Sequence, residues 1–211
     1  MELTKMFLFL SFFASISSAH TNIVDFCVAD LNYPVGPAGY PCKNPANLTV
    51  DDFVYSGLGV SGNTSNVFGV GVTFAIDLTF PALNGLDISM TRLDIGVGGV
   101  VPMHSHRVSE LIIVIQGRII AGFISSDTKV YYKTLKKGDI MIFPQSLLHF
   151  QVNVGKTPAL AFVSLNSARP NFQTTSTSLF GNDLPTNLIE KLTLLDAEQV
   201  KKLKSIFGGT N

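Results

Sequence analysis

Residues 98–117, GGVVPMHSHRVSELIIVIQG, carry the features that decide the fold and the chemistry of this chain. His104 and His106 are separated by one residue, so on an extended backbone both imidazoles lie on the same side. Glu110 has the same parity, and the apolar run that begins at Leu111 is typical of a buried strand. We therefore expect one continuous strand that carries two histidines and a carboxylate on one face.

A second stretch, residues 138–153 (GDIMIFPQSLLHFQVN), supplies a third histidine. His149 follows a turn at Pro144 and opens another strand, which can lie across a sheet from the first stretch. Three imidazoles and a carboxylate suit Mn, Fe or Zn, and no thiolate lies nearby to favour softer ions. The alternative is three unrelated histidines and a surface glutamate. That alternative is disfavoured because, of the four histidines in the chain, only His20 lies outside these two stretches.

The rest of the chain beyond residue 67 reads as short strands rich in β-branched and aromatic residues. The predicted strands are Val70–Leu78, Leu86–Ile95, Leu111–Ile115, Ile119–Ile124, Val130–Leu135, Ile140–Phe143, His149–Val154 and Leu160–Leu165. Gly, Asn, Asp or Pro separates most of them, and no helical period lies between them, which indicates an all-β antiparallel sandwich or barrel.

Helix is predicted only near the C-terminus. Leu188, Ile189, Leu192 and Leu195 indicate one short helix. Asp196 and Gln199 form a capping box for a second helix, which Gly208 ends. After an all-β body, two such helices are typical of an arm that docks on another subunit.

The charge balance restricts the classes of partner. The 15 Lys and Arg residues equal the 15 Asp and Glu residues, so no excess positive charge favours nucleic acid or an anionic membrane surface. Charged residues make up only 14% of the chain, where about 25% is usual. So few charges cannot cover the surface of a lone domain, and we expect a homo-oligomer.

The N-terminus predicts export from the cell. Residues 1–19 contain an apolar run, Met6–Ile16, followed by the small residues Ser17, Ser18 and Ala19, as in a secretory signal peptide. Residues 20–211 are expected to form one domain. In an oxidising compartment the only two cysteines, Cys27 and Cys42, favour a disulfide over two buried free thiols. Two acceptor sequons, at Asn47 and Asn63, are candidate glycosylation sites.

Taken together, the two motifs resemble those of the germin-like proteins of the cupin superfamily. The first family motif, G-x5-H-x-H-x3/4-E-x6-G, matches from Gly98 to Gly117, with the shorter of the two spacings before Glu110. The second, G-x5-P-x-G-x2-H-x3-N, matches from Gly138 to Asn153, except that Ser146 replaces a glycine. A residue in the left-handed region is expected at that position, where a side chain costs on the order of 1 kcal/mol.

The resemblance implies a cupin β-barrel, or jelly roll, with short C-terminal helices. It also implies a secreted plant glycoprotein of the apoplast that binds one Mn²⁺ per chain through His104, His106, Glu110 and His149. The expected assembly is a hexamer built as a trimer of dimers. In true germins, which oxidise oxalate, two asparagines reach the substrate. Their positions correspond here to Thr91 and Val101.

Two functions follow from the resemblance. The first is superoxide dismutation at the metal, with a role in defence or the cell wall and without oxalate oxidase activity. The second is a non-enzymatic role as a metal-holding storage, cell-wall or receptor-like protein of the auxin-binding type. A small anion or superoxide is the expected ligand of the metal. The sequence alone does not decide between the two functions.

Overall fold

Ten short strands followed by three C-terminal helices form the framework of the computed structural model, which describes residues 24–210. The strands are β1 (Val70–Ala75), β2 (Ser89–Ile95), β3 (Val100–Ser105), β4 (Glu110–Gln116), β5 (Arg118–Ile124), β6 (Val130–Lys136), β7 (Ile140–Phe143), β8 (Leu148–Asn153), β9 (Ala159–Leu165) and β10 (Gln173–Thr174). The helices are α1 (Thr175–Phe180), α2 (Thr186–Thr193) and α3 (Ala197–Phe207). Within the described residues, no helix is long and apolar enough to cross a membrane.

The strands form two antiparallel sheets of five strands each. The first has the order β1-β2-β9-β4-β7 and the second the order β10-β3-β8-β5-β6. Alternate residues of β2, β8 and β9 are buried in the core between the sheets, as in β9, where these residues are Ala159, Ala161, Val163 and Leu165. Each large apolar side chain buried in this way contributes roughly 1.5–3 kcal/mol. The predicted all-β fold is confirmed.

The prediction of one continuous strand through the first motif is wrong. β3 ends at Ser105 in the second sheet, and β4 begins at Glu110 in the first sheet, so residues 106–109 cross between the sheets. Backbone groups of the crossing segment hydrogen-bond to other parts of the chain. The carbonyl of His106 accepts from Ser146 N at 2.8 Å, and Ser109 N donates to the side chain of Asn166 at 2.8 Å. The expectation failed because the chain bends at Arg107 and Val108 and so passes from one sheet to the other.

The C-terminal helices agree with the predictions in most respects. Asp196 caps α3 through Gln199 N at 2.8 Å, and Gly208 ends that helix with a positive φ of 80°. α2 stops before Leu195, since Leu194 takes a left-handed φ of 62°. α1 and β10 were not predicted, because the sequence TSTSLF has neither an apolar period nor high helix propensity. The three helices share a small apolar core made of Phe180, Ile189 and Val200.

The N-terminal segment is cross-linked by a disulfide, and Ala29 N donates to the carbonyl of Pro81, between β1 and β2, at 3.0 Å. Cys27 and Cys42 form a disulfide, as predicted, with their Cα atoms 4.9 Å apart. Asn47 and Asn63 are both exposed, as a glycosylated asparagine must be. The predicted signal peptide, residues 1–19, lies outside the described residues.

Arg92 and Asp94 fasten the loop before β1 onto β2. Arg92 donates to both carboxylate oxygens of Asp94 at 2.8 Å and to the carbonyl of Leu58 at 3.0 Å. Asp94 also accepts from Gly62 N at 2.8 Å. Burial raises the pKa of Asp94, but the bonds from Arg92 and Gly62 outweigh it and lower the pKa below the ordinary 3.8.

Replacing Asp94 with asparagine is therefore expected to destabilise the fold by about 1.5–3 kcal/mol at pH 7, because bonds to a charged group are lost. Since the folded-state pKa is lowered, the carboxylate stabilises the protein above the unfolded-state pKa. This stabilisation is lost as the pH falls through the folded-state value. Urea unfolding of wild type and Asp94→Asn should therefore differ at pH 7 and converge in strong acid. The exposed Asp51→Asn variant should match wild type at both pH values, and an Asp94→Asn variant as stable as wild type at pH 7 would refute the expectation.

Candidate metal site

The structure brings the four predicted ligands together between the two sheets. His104 lies near the end of β3 and His149 on the adjacent strand β8, where they are register partners. His106 follows β3 in the crossing segment, and Glu110 is the first residue of β4. One ligand atom from each of the four lies within 4.8 Å of every other, and all four side chains are buried.

Each imidazole is held by its Nδ1 atom. The Nδ1 of His104 lies 2.7 Å from the carbonyl of Pro102, and that of His149 lies 2.9 Å from the carbonyl of Leu147. The Nδ1 of His106 contacts the carbonyl of Asn171. A carbonyl can only accept, so the proton of each ring lies on Nδ1 and the lone pair on Nε2 faces the site. This is the arrangement in which backbone groups orient metal-binding histidines.

Lone pairs of the Glu110 carboxylate and of the facing imidazole nitrogens lie close together in the site. Glu110 Oε2 lies 3.0 Å from His106 Nε2 and 3.4 Å from His149 Nε2, and the latter nitrogen has no hydrogen-bond partner. With the ring protons on Nδ1, these contacts join acceptor to acceptor. Such an arrangement is stable only when a cation or an added proton lies between the atoms. The four side chains therefore fit a metal cation.

The electrostatics of two members agree with ligation at neutral pH. Burial, followed by the nearby His149, lowers the pKa of His104 to about 3, so this imidazole is neutral. Burial raises the pKa of Glu110, but the two imidazoles that face its carboxylate, those of His106 and His149, outweigh burial and lower it to about 2. A neutral imidazole and an ionised carboxylate are the forms that bind metals.

A cavity of about 30 Å³ adjoins the ligands, which is room for about two water molecules. Thr91 and Val101 both line it, as the resemblance implied. The hydroxyl of Thr91 is buried and has no hydrogen-bond partner. Val101 is 3% exposed and offers only methyl groups. The cavity thus has one hydroxyl without a hydrogen-bond partner and one aliphatic side chain at the two positions where the resemblance places asparagines.

Two residues of the cavity wall were missed by the sequence reasoning. Gln151 lies on β8 two residues after His149, and its amide Nε2 donates to Glu110 Oε1 at 3.4 Å. Its parity with His149 could have revealed it. Phe172 packs on His104 with ring centroids 4.7 Å apart. No local pattern signals it, since it precedes the unpredicted strand β10.

Ser146 adopts a positive φ of 64°, so the conformation predicted from the missing glycine is confirmed. The turn that it makes directs its N–H to the carbonyl of His106. The left-handed strain, on the order of 1 kcal/mol, is thus accepted beside a candidate ligand.

Comparisons with known proteins agree with this geometry. Residues 56–201 match the family model described as Cupin. Auxin-binding protein ABP19a of Prunus persica is 58% identical over 97% of this chain and 98% of its own length. Germin-like protein subfamily 3 member 3 of Arabidopsis thaliana is 51% identical over 98% of each chain.

A solved oxalate oxidase in complex with the substrate analogue glycolate superposes with a TM-score of 0.84 and 37% identity, covering 88% of this chain and 96% of that one. The sequence motifs, the jelly roll of two sheets and these relatives lead to one assignment: the chain belongs to the germin-like proteins of the cupin superfamily.

Proposed function

We propose that this protein binds manganese through His104, His106, Glu110 and His149, dismutes superoxide and does not oxidise oxalate. The observation that carries the proposal is the convergence of three Nε2 lone pairs and one carboxylate beside a cavity of about 30 Å³. Nitrogen and oxygen donors without thiolate suit manganese. The resemblance to germin-like proteins favours manganese over iron and zinc.

The chain's own residues would do three things for this reaction. They hold the metal with four ligands, which leaves positions open on an ion that prefers about six. Their backbone carbonyls hold the imidazole rings at Nδ1, on the side away from the metal, so that no histidine has to reorient when the metal binds. They limit the cavity to a ligand of a few atoms. When bound, manganese supplies one-electron redox chemistry by alternating between two oxidation states.

The test is superoxide turnover on protein whose manganese content is known. Wild type, freed of unbound metal by gel filtration, is expected to contain about one manganese per chain and to consume superoxide catalytically. His104→Ala should lose metal and turnover together, since it removes a ligand. Mostly zinc in the wild type would contradict the choice of metal. Manganese-loaded wild type without turnover would contradict the enzymatic role.

A second function, non-enzymatic binding of an aromatic carboxylate, is favoured by a different observation. A chamber of about 420 Å³, partly open to solvent and lined largely by apolar side chains, shares wall residues with the cavity beside the metal site. The Prunus persica relative is named an auxin-binding protein. A carboxylate head on the metal and a ring in the chamber would use both features. Manganese-loaded protein that is inactive towards superoxide would leave this function as the leading one.

We further propose that the protein is secreted to the apoplast and glycosylated at Asn47 and Asn63. The apolar run Met6–Ile16 and the disulfide support export. Exposure of both asparagines supports glycosylation. The role in defence or the cell wall is proposed from the family resemblance.

Assembly is proposed as a hexamer of this chain. Strands β4 and β7 are paired, and their outward side chains Leu111, Ile113, Ile140 and Ile142 are 37–61% exposed. Four neighbouring aliphatic residues on the outer face of a sheet are a patch that a soluble protein normally covers. The C-terminal helices supply a second surface for contact between copies.

Light scattering on wild type is therefore expected to report about six chains. Ile140→Glu/Ile142→Glu should give smaller species, because charge on the aliphatic patch prevents its burial. Val130→Glu/Tyr132→Glu places two charges on the outermost strand of the other sheet and should leave the assembly intact. A monomeric wild type at micromolar concentration would refute the hexamer, and dissociation by the control pair would refute the choice of face.

A further inference from the structure

Two cavities of very different size meet at the metal site. The inner cavity of about 30 Å³ is lined by three of the four candidate ligands, His104, His106 and Glu110. The outer chamber of about 420 Å³ lies between the edges of the two sheets, beside α1. Among residues 24–210, three line both cavities: Val72, Val101 and Phe172. These three side chains form the partition between the compartments.

Val72 and Val101 are fixed parts of this partition. Both lie on strands, β1 and β3, and both contribute to the barrel core or pack against it. Their short branched side chains have little rotamer freedom. They cannot open without displacement of the strands.

Phe172 differs from the two valines. Its backbone is held on both sides: the carbonyl of Asn171 contacts His106 Nδ1, and Gln173 pairs with Ser105. Its ring lies over the site, with its centroid 4.7 Å from that of His104 and 5.6 Å from that of His106. The side chain is nevertheless 45% exposed. Core packing therefore does not lock its rotamer, and exposed rotamers interchange within nanoseconds.

We propose that Phe172 is the specificity-determining residue of the metal site and selects ligands by size. With the ring over His104 and His106, the inner cavity admits inorganic anions of two or three atoms. A carboxylate with an aromatic body reaches the metal only when the ring swings away and the two cavities become one. The proposal rests on the proposed metal site and agrees with the first of the two functions, because a partition that keeps aromatic carboxylates from the metal opposes the second.

The experiment titrates Mn(II)-loaded protein with two anions and follows the EPR spectrum of the bound ion, which changes when a ligand enters its coordination sphere. Azide is the small probe and benzoate is the aromatic one. Phe172→Ala removes the partition and Phe172→Leu shortens it. Tyr132→Ala is the matched control, because it truncates an aromatic residue that is 67% exposed on β6, away from both cavities.

In wild type and Tyr132→Ala, benzoate is expected to bind at least about tenfold more weakly than azide. Phe172→Ala should strengthen benzoate binding at least about tenfold and leave azide within about threefold, with Phe172→Leu intermediate. Equal binding of the two anions by wild type would overturn the proposal, and so would Phe172→Ala with unchanged benzoate binding.

Metal content separates this proposal from the proposed function. A wild-type chain that takes up no metal would overturn both. A metal-loaded chain without size discrimination overturns the role of Phe172 alone. If Phe172→Ala loses metal because His106 shifts, Phe172→Leu becomes the deciding variant. The proposal then fails unless Phe172→Leu binds benzoate more tightly than wild type does.

Discussion

Protein carrying His149→Ala is expected to retain less than about one tenth of the wild-type manganese after gel filtration. Loss of a residue that only hydrogen-bonds to a metal ligand typically costs 10–100-fold in metal affinity, and loss of a ligand itself costs more. His149 is 1% exposed, and its ring stacks on Phe143 with centroids 4.6 Å apart. Truncation therefore removes a candidate ligand and leaves a void in its place. Elemental analysis of the purified variant measures the effect.

Glu110→Gln tests the same site without a change of shape. The amide keeps the volume of the carboxylate but removes the negative charge, so the site would hold a divalent cation with neutral donors alone. We expect metal loss comparable with that of His149→Ala. Glu198→Gln, the same change at an exposed position on α3, should retain wild-type metal content. Full occupancy in either site variant would show that the four residues do not act together as ligands.

The chemistry of this site was easier to predict from sequence than its geometry. The types and spacing of His104, His106, Glu110 and His149 were sufficient to identify a candidate metal site, because ligand chemistry depends on side-chain type. The backbone route was predicted wrongly: residues 106–109 cross from one sheet to the other and do not continue the strand. The chain bends at Arg107 and Val108, and the strand pairing that requires this bend is set by long-range contacts, which a local sequence pattern does not report.

The walls of the site were predictable to different degrees. Thr91 and Val101 were placed correctly through the family resemblance. Gln151 could have been predicted, because it lies two residues after His149 on the same strand and therefore on the same face. Phe172 could not have been predicted from the sequence. It reaches the ligands because β10 adds two residues to the edge of β3, a tertiary contact more than 60 residues distant in sequence from His104.

Oxalate is expected not to be oxidised at a useful rate, even by protein fully loaded with manganese. The cavity beside the ligands is about 30 Å³, so a dianion of six heavy atoms must enlarge it. Thr91 offers one hydroxyl and Val101 offers no hydrogen bond, where true germins present two amides to the substrate. Each missing partner to a charged group costs roughly 1.5–3 kcal/mol. The loss of two such partners corresponds to two or more decades of catalytic efficiency.

The assay is release of hydrogen peroxide from millimolar oxalate at mildly acidic pH, with manganese content verified in the same sample. An oxalate oxidase assayed in parallel should exceed this protein at least about a hundredfold per manganese. Thr91→Asn/Val101→Asn should recover part of the difference, because it restores two amides that face the cavity. Val130→Asn makes the same kind of exchange at an exposed position on β6 and should change nothing.

The two outcomes that would contradict this expectation have different meanings. Robust peroxide release by wild type would show that the two amides are dispensable and that the roles assigned to Thr91 and Val101 are wrong. An inactive wild type whose double variant keeps its metal and stays inactive would place the restriction elsewhere in the cavity. Phe172 is then the residue to change next, since its ring limits the volume that the dianion needs. Peroxide release by a Thr91→Asn/Val101→Asn/Phe172→Ala variant would separate the loss of hydrogen bonds from the lack of space.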